Sequence, residues 1–397
     1  MSDPWLTIVG LGEDGPEGLS KASRDALDVA QIIFGGPRHL ALVGAQDRGE
    51  AWPVPFDIAP VMAHRGRGYP VVVLASGDPF WYGAGAVLAQ QLMQGEWRSF
   101  GVPGVMSLAA TRMGWRLEDT VCLGLHAQPF AHLHLHLARG CQIICTLRDG
   151  AAVGQLAQWL TAQGCGAMSI WCLEALGGPR ERLRHTRADS YDLCDVSAPV
   201  AVALDGASLA RDCGMSRGAG LPDDFFAHDG QITRAPVRAL TLAALAPRSN
   251  ALLWDIGGGS GSVSVEWCRA GGRAITIEPR ADRLCNIKEN IDRFALSGRM
   301  QPVHGAAPEC LAGLSPPDAV FVGGGGSAQL FTQLMQLPAG VRVVANAVTL
   351  DSEARLMALY GVHGGTLLRC DLAQAAPLGR MRGWVPGRPI VQWAVTL

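Results

Sequence analysis

The chain has 397 residues, 48% of them apolar, and 33 Lys and Arg against 35 Asp and Glu for a formal net charge of −2. That length suits two domains or three, and the near-neutral balance offers no broad footprint for nucleic acid. No apolar run approaches the roughly 20 residues of a membrane span, and the chain start lacks the basic and apolar segments of a secretory signal. The 11 cysteines are scattered and contain no C-x-x-C. They fit small apolar core residues in a reducing cytosol better than a disulfide set or a zinc site. A cytoplasmic protein without nucleic-acid or membrane partners is expected.

In chain order, residues 6–9 read as a strand running into Gly10-Leu11-Gly12. A helical pattern over 19–30 and a strand over 32–34 complete a βαβ unit, which predicts a parallel pair. The strand at 71–75 ends in Ser76-Gly77-Asp78-Pro79-Phe80-Trp81-Tyr82-Gly83. Gly77 permits a tight turn and Pro79 fixes φ. Asp78 can accept from backbone N–H groups in an Asx turn that starts a helix at Tyr82, or from a ligand. A second Pro-Gly turn, Pro103-Gly104, precedes a small-residue helix carrying Ser107. His132, His134 and His136 alternate, but 130–139 reads as a helix before a strand at 142–146. Only His132 and His136 would then be neighbours, with no acidic or Cys partner, so no metal site is predicted. A strand at 199–204 closes the first half. Composition then shifts to Gly, Ala, Ser and Arg, giving a first domain over 1–205, a linker over 206–221 and a second domain over 222–397.

The second half turns on Trp254-Asp255-Ile256-Gly257-Gly258-Gly259-Ser260-Gly261-Ser262. An apolar run precedes it and a helical pattern follows, so it reads as strand, glycine turn and helix start. Such a turn lets a ligand approach the backbone and offers it free N–H groups. It can cradle a dinucleotide pyrophosphate or the amino-acid end of S-adenosylmethionine. The third glycine comes one position early for a nicotinamide fingerprint, and Asp255 can hold the turn or reach an ammonium group; both favour S-adenosylmethionine. Glu278 ends the next strand, where an acid can accept ribose hydroxyls of either cofactor. A helix over 280–294, strands at 301–304, 319–322 and 341–345, a helix over 351–360 and strands at 366–370 and 390–395 follow. This is an α/β doubly wound sheet with its ligand edge at the carboxyl strand ends.

These pieces carry two resemblances. Gly10-Leu11-Gly12, Ser76-Gly77-Asp78-Pro79 with Tyr82-Gly83, Pro103-Gly104 with Ser107, Leu125-His126, Thr146-Leu147-Arg148-Asp149 and Glu174-Ala175-Leu176-Gly177 resemble the tetrapyrrole methylase family. That resemblance implies two α/β subdomains with S-adenosylmethionine in the cleft between them. The contacts implied are Leu11, Gly77, Asp78 and Ser107, with His126 as a substrate-side candidate. The second half resembles class I S-adenosylmethionine-dependent methyltransferases, above all those that methylate precorrins. The matching pieces are Ile232-Thr233-Arg234 with Val237-Arg238, the glycine turn, Glu278, Ala306-Ala307-Pro308-Glu309, and Asp318 with the glycines after 322. The contacts implied are Thr233, Gly257, Gly259, Gly261, Glu278 and Ala307, with Asp255, Gly258, Ser260 and Ala306 in the same turn and loop. Ala306 stands where the subgroup has an acid for the adenine amine, and Gly258 where a Cys is common. Adenine recognition is then left to the main chain or another side chain.

Two unlike methyltransferase cores in this order resemble a fused methyltransferase of the cobalamin pathway. The resemblance implies methyl transfer to C5 of a reduced tetrapyrrole by the first domain. The second would methylate C15 and release the ring C acetate as carbon dioxide. The substrate's carboxylates call for Arg forks. Arg380, Arg382 and Arg388, near Trp384 in a Gly/Pro-rich loop, are candidates, and Arg65 and Arg67 are their counterparts in the first domain. No catalytic acid or base is assigned, and a homo-oligomer is expected. The alternative is a class I enzyme acting on RNA or protein beside a divergent S-adenosylmethionine-binding regulatory domain.

Overall fold

Runs of Val, Ile and Leu bounded by glycine turns form the sheets of the computed structural model, which describes residues 4–397. The chain divides into two units, one ending at Gly214 and the other starting at Met215. In the first, β1 (Leu6–Leu11), β2 (Ile32–Gly35), β3 (Gly49–Ala51), β4 (Val71–Ser76) and β5 (Trp97–Phe100) form a sheet in the order β3-β2-β4-β1-β5. Every pairing in it is parallel. β1 is buried at every position, as a parallel sheet covered on both faces requires. The expected parallel relation of β1 and β2 holds, but they are not neighbours. The continuously apolar β4 takes the place between them.

A second sheet of the same unit contains β6 (Val121–Gly124), β7 (Gln142–Leu147), β8 (Ser169–Glu174), β9 (Arg182–Arg187) and β10 (Val200–Asp205), in the order β6-β7-β10-β8-β9. Here only β6 and β7 pair in parallel. The polar run of β9 gave no strand signal; it is an edge strand whose Arg182 and Arg184 are held by Glu174 and Asp195.

The second unit has β11 (Leu252–Ile256), β12 (Arg273–Glu278), β13 (Met300–His304), β14 (Ala319–Val322), β15 (Arg342–Ala347), β16 (Thr366–Cys370), β17 (Ala373–Leu378), β18 (Met381–Pro386) and β19 (Ile390–Thr396). Seven of them form the sheet β13-β12-β11-β14-β15-β19-β16, parallel except for β19. One face packs Leu253, Trp267 and Phe294; the other packs Trp254, Phe331 and Trp393. This is the doubly wound arrangement expected.

Three local expectations change. Residues 130–139 do not form an α-helix; a 3-10 turn spans Phe130–Leu135. His132 meets Gln128 and His134 meets Gln163, so the histidines serve separate contacts. Among the described residues, no group of three His, Cys, Asp or Glu side chains is placed to hold a metal. The helix expected to start at Tyr82 begins at Ala84, because Tyr82 takes a left-handed φ of 50°. The Gly/Pro-rich loop around Arg382 is a hairpin, β17–β18, turning at Gly379 and Arg380. β16 and β15 are both antiparallel to β19, so they run the same way. The hairpin after Cys370 therefore leaves the sheet at the edge where β11, β12 and β14 also end.

Candidate functional site

In the second unit, β11 and β14 are neighbours whose following helices pack on opposite faces, which opens a crevice at their carboxyl ends. Two glycine turns fill its floor. A Cβ at Gly257 would lie 2.7–3.0 Å from the main chain of Gly324, so the turns meet backbone to backbone. Gly257, Gly259 and Gly261 all have positive φ, at 72°, 59° and 73°, which L side chains avoid. At Gly258 a Cβ would come 2.4 Å from Thr276 Cγ2. A side chain at Gly258 would therefore meet Thr276.

Glu278 is 2% exposed. Its Oε2 accepts from the Gly259 N–H at 2.8 Å and its Oε1 from the Arg280 N–H at 3.0 Å. The carboxylate holds the glycine turn while sitting at the next strand end. Asp255 lies beneath. Thr276 Oγ1 donates to Ser264 Oγ, and Ser264 Oγ to Asp255 Oδ2, both at 2.7 Å. These bonds tie Asp255 to the helix that follows the glycine turn. Burial pushes its pKa up to about 6; the Ser264 bonds oppose that shift and Glu278 adds to it. Asp255 Oδ1 and Ser260 Oγ are buried without a hydrogen-bond partner. An unpaired buried polar atom costs about 1–3 kcal/mol, so the turn holds polar capacity that a bound polar ligand can use. Beside Glu278, the Gly305 N–H donates to the Glu278 carbonyl at 3.2 Å, which brings the loop with exposed Ala306 and half-buried Ala307 to the same edge.

Two buried side chains that were assigned no role from the sequence complete this candidate site. Asn290, fully buried, accepts from the Ala227 N–H at 2.8 Å and donates to the carbonyls of Ala227 at 3.0 Å and Ser260 at 2.9 Å. It ties the segment before the first helix of the unit to the glycine turn. Arg238, also fully buried, donates to Glu266 at 2.7 Å, to Asp223 at 3.1 Å and to the carbonyls of Leu221 and Thr233. Together they hold Thr233 near the turn: the Gln231 carbonyl lies 3.4 Å from where a Gly259 Cβ would be. The available signal was an Arg on an otherwise apolar helix face and an Asn among charged neighbours.

In the first unit the site is assembled from three separate loops. A Cβ at Gly10 would lie 1.9 Å from the Gly77 carbonyl oxygen, and one at Gly77, whose φ is 58°, would lie 2.6 Å from Gly104 Cα. Gly77 N–H donates to the Leu11 carbonyl at 3.0 Å. Leu11 therefore offers only main chain: its side chain is 1% exposed in the core and does not reach the edge. Asp78 is exposed, and its Oδ1 accepts from the Phe80 N–H at 2.8 Å, the Asx turn expected. Half-buried Ser107 sits in the first turn of the helix Val105–Met113, just past Gly104. Tyr82 spans the two sheets of the unit. Its ring would contact a Cβ at Gly124 at 3.3 Å and meets His126 edge-on at 6.2 Å. His126 stays exposed, with Nδ1 3.4 Å from Thr146 Oγ1.

The arginine candidates separate. Arg380, Arg382 and Arg388 are exposed on the hairpin and just after it, at the ligand edge of the second unit, as is Trp384. Arg65 and Arg67 precede β4 and so lie at its amino end, opposite the Gly77 loop; Arg65 is engaged by Glu96 at 2.6–2.7 Å. They are not placed to hold a ligand there.

Residues 5–192 match the family model of tetrapyrrole (corrin/porphyrin) methylases, and residues 224–397 match that of the precorrin methyltransferase domain. A precorrin-6Y C(5,15)-methyltransferase [decarboxylating] of Sinorhizobium sp is 43% identical over 404 residues, covering 99% of this chain and 96% of the relative. One of the same name from Mycobacterium tuberculosis is 39% identical over 397 residues, covering 98% and 99%. Among solved structures, the C-terminal domain of precorrin-6Y C5,15-methyltransferase from Rhodobacter capsulatus is 64% identical, covers 46% of this chain and 100% of its own, and has a TM-score of 0.46. With near-complete mutual coverage by two such relatives, the chain belongs to the precorrin-6Y C(5,15)-methyltransferase (decarboxylating) family.

Proposed function

We propose that the chain uses S-adenosylmethionine to methylate precorrin-6Y at C5 and C15 and to release the ring C acetate as carbon dioxide, within cobalamin biosynthesis. The observation that carries this reading is the presence of two unlike glycine-built sites, each at the carboxyl edge of a parallel sheet, in one chain. Residues 1–205 are assigned C5 and residues 222–397 are assigned C15 with decarboxylation, joined by 206–221.

The cofactor fits the residues present in the second unit. The glycine turn supplies open backbone, Ser260 Oγ and Asp255 Oδ1 are unpaired, and Glu278 keeps lone pairs beyond those used by main chain. In the first unit, Gly77, Asp78 and Ser107 take the same role. When bound, the cofactor supplies an activated methyl group on a sulfonium centre. The protein's own contribution is position. Gly10, Gly77 and Gly104 fix one floor, and Asn290 and Arg238 fix the strap over the other. Holding the acceptor carbon in line is worth about 7–11 kcal/mol. The His126 imidazole and the Tyr82 ring, which meet edge-on, are proposed to contact the flat conjugated macrocycle in the first site. The arginines of the hairpin are proposed to meet its carboxylates in the second.

No helix among the described residues is long and apolar enough to cross a membrane; a cytoplasmic location is part of the proposal. Exposed Leu378, Met381, Trp384 and Val385 on the hairpin support assembly into a homo-oligomer. The RNA or protein methyltransferase reading has no support, since the relatives and family models all name precorrins or tetrapyrroles. The test is incubation of the full chain with methyl-labelled S-adenosylmethionine and precorrin-6Y, with products read by mass and NMR. Two added methyl groups and loss of carbon dioxide are expected. Gly77→Ala should lose the C5 methyl alone and Glu278→Ala the C15 methyl alone. No label in the product would overturn the reading.

A further inference from the structure

Three loops at the carboxyl edge of the first unit converge on one carboxylate. Glu13 follows β1, Arg38 follows β2 and Arg180 follows β8. Glu13 Oε1 is ion-paired with Arg38, and its Oε2 lies 3.4 Å from Arg180 Nη2. The Glu13 side chain is 9% exposed, against 36% for Arg38 and 63% for Arg180. The carboxylate is therefore covered, while the Arg180 side chain is largely open to solvent and that of Arg38 partly so. Arg38 Nη2 also donates to Ser76 Oγ at 3.1 Å, and Ser76 immediately precedes Gly77-Asp78. The cluster thus adjoins the proposed methyl-transfer site.

The surroundings leave the two cations under-matched. His39, 2.9 Å from Arg38 Nη2, is neutral at physiological pH, because burial and then the Arg38 charge bring its pKa down to about 4. The adjacent Arg112–Glu181 pair is closed on itself in a two-pronged contact of 2.6 and 2.9 Å. The Asp14 carboxylate is turned into its own loop, against Gly12 and Gly18. Two guanidinium forks share Glu13, and a planar anion arriving from solvent can take paired charge-assisted hydrogen bonds from them. Arg65 and Arg67 cannot do this from the opposite edge.

We propose that Arg38 and Arg180 form a subsite for an acetate or propionate carboxylate of the tetrapyrrole, with Glu13 holding the forks in place until that carboxylate competes for them. The subsite rests on the functional reading above. It differs from a purely structural clasp in the sign of one effect. If the cluster only tied loops together, loss of any member would do harm. If it receives substrate, loss of Glu13 frees the receptors.

The experiment is steady-state C5 methylation by the full chain, with KM measured separately for tetrapyrrole and for S-adenosylmethionine and thermal unfolding recorded for each variant. Arg38→Ala and Arg180→Ala should each raise the tetrapyrrole KM by about tenfold, the size of one charge-assisted hydrogen-bond set. The S-adenosylmethionine KM and C15 methylation should not move. Glu13→Gln should lower the tetrapyrrole KM by about threefold, on the order of one weak competing contact. If Arg38→Ala does not fold, Arg38→Lys keeps charge without the fork and should still raise KM. An enzyme that methylates C5 normally but shows no KM change in the arginine variants would overturn the subsite. So would a Glu13→Gln variant with KM raised as far as theirs. A wild-type chain that does not methylate C5 would overturn the reading and the subsite with it.

Discussion

The two glycine-built sites solve one problem in different ways. In the second unit a single run, Gly257 to Gly261, makes the turn, and a second glycine turn at the neighbouring strand end lies against it. In the first unit Gly10, Gly77 and Gly104 come from three segments far apart in sequence and meet only in the fold. The first arrangement concentrates its tolerance in one loop backed by a buried polar network. The second distributes it, and each contact depends on the packing of another strand end. A distributed site should therefore fail completely when one backbone contact is blocked. A contiguous one should weaken in steps as the side chains behind it, Asn290 and Arg238, are removed, and fail outright only when a ligand-facing group such as Glu278 is lost.

The largest expected effect tests the distributed site. Gly77→Ala places a methyl 2.6 Å from Gly104 Cα at a φ of 58°. Strain of this kind costs about 1–3 kcal/mol before any steric clash. C5 methylation should fall by about 100-fold or more while C15 methylation persists, as read by product NMR. Equal loss of both would break the comparison.

In the contiguous site, Asn290→Ala removes two hydrogen bonds to the strap and one to the turn. Unpairing those buried groups should cost about 2–4 kcal/mol and weaken cofactor binding at this site. Denaturant unfolding and calorimetric titration would check both, and unchanged affinity would detach the strap from the site.

A smaller effect concerns Asp255. Its folded pKa of about 6 exceeds the ordinary 3.8, so the folded chain retains a proton that the unfolded chain releases. The associated stability is fully present below about pH 4 and is lost as pH rises toward 6. The shift corresponds to something on the order of 3 kcal/mol. Asp255→Asn should flatten that slope, so stability curves for the two proteins between pH 4 and 7 should diverge rather than run parallel.

The smallest effect belongs to the hairpin. Exposed Arg382 gains little from a solvated ion pair, about 1 kcal/mol at most. Arg382→Ala should raise the tetrapyrrole KM for C15 methylation by only a few-fold, and no change would remove that residue from substrate binding.

Much of the second unit was legible because its signals are local. The glycine turn, Glu278 and the alternation of strands and helices all lie in short windows, and the doubly wound sheet follows from them. The first site was readable only through the pattern of a family, since nothing in the spacing of Gly10, Gly77 and Gly104 says that they touch. Sequence also did not say which part of Leu11 would face the site: its side chain points into the core, and its carbonyl meets the Gly77 turn. The Arg65 and Arg67 assignment failed because sequence alone did not say at which end of β4 they would lie. Arg38, which follows a strand rather than preceding one, was the position to weigh. The buried roles of Asn290 and Arg238 were hidden because polar residues on helices usually face water.

The central claim is that one chain carries two separate methyl-donor sites. Equilibrium dialysis of the full chain against labelled S-adenosylmethionine tests it most directly. Two bound per chain are predicted, falling to one in Gly77→Ala and to one in Glu278→Ala. A single site per chain in the wild type would contradict the account.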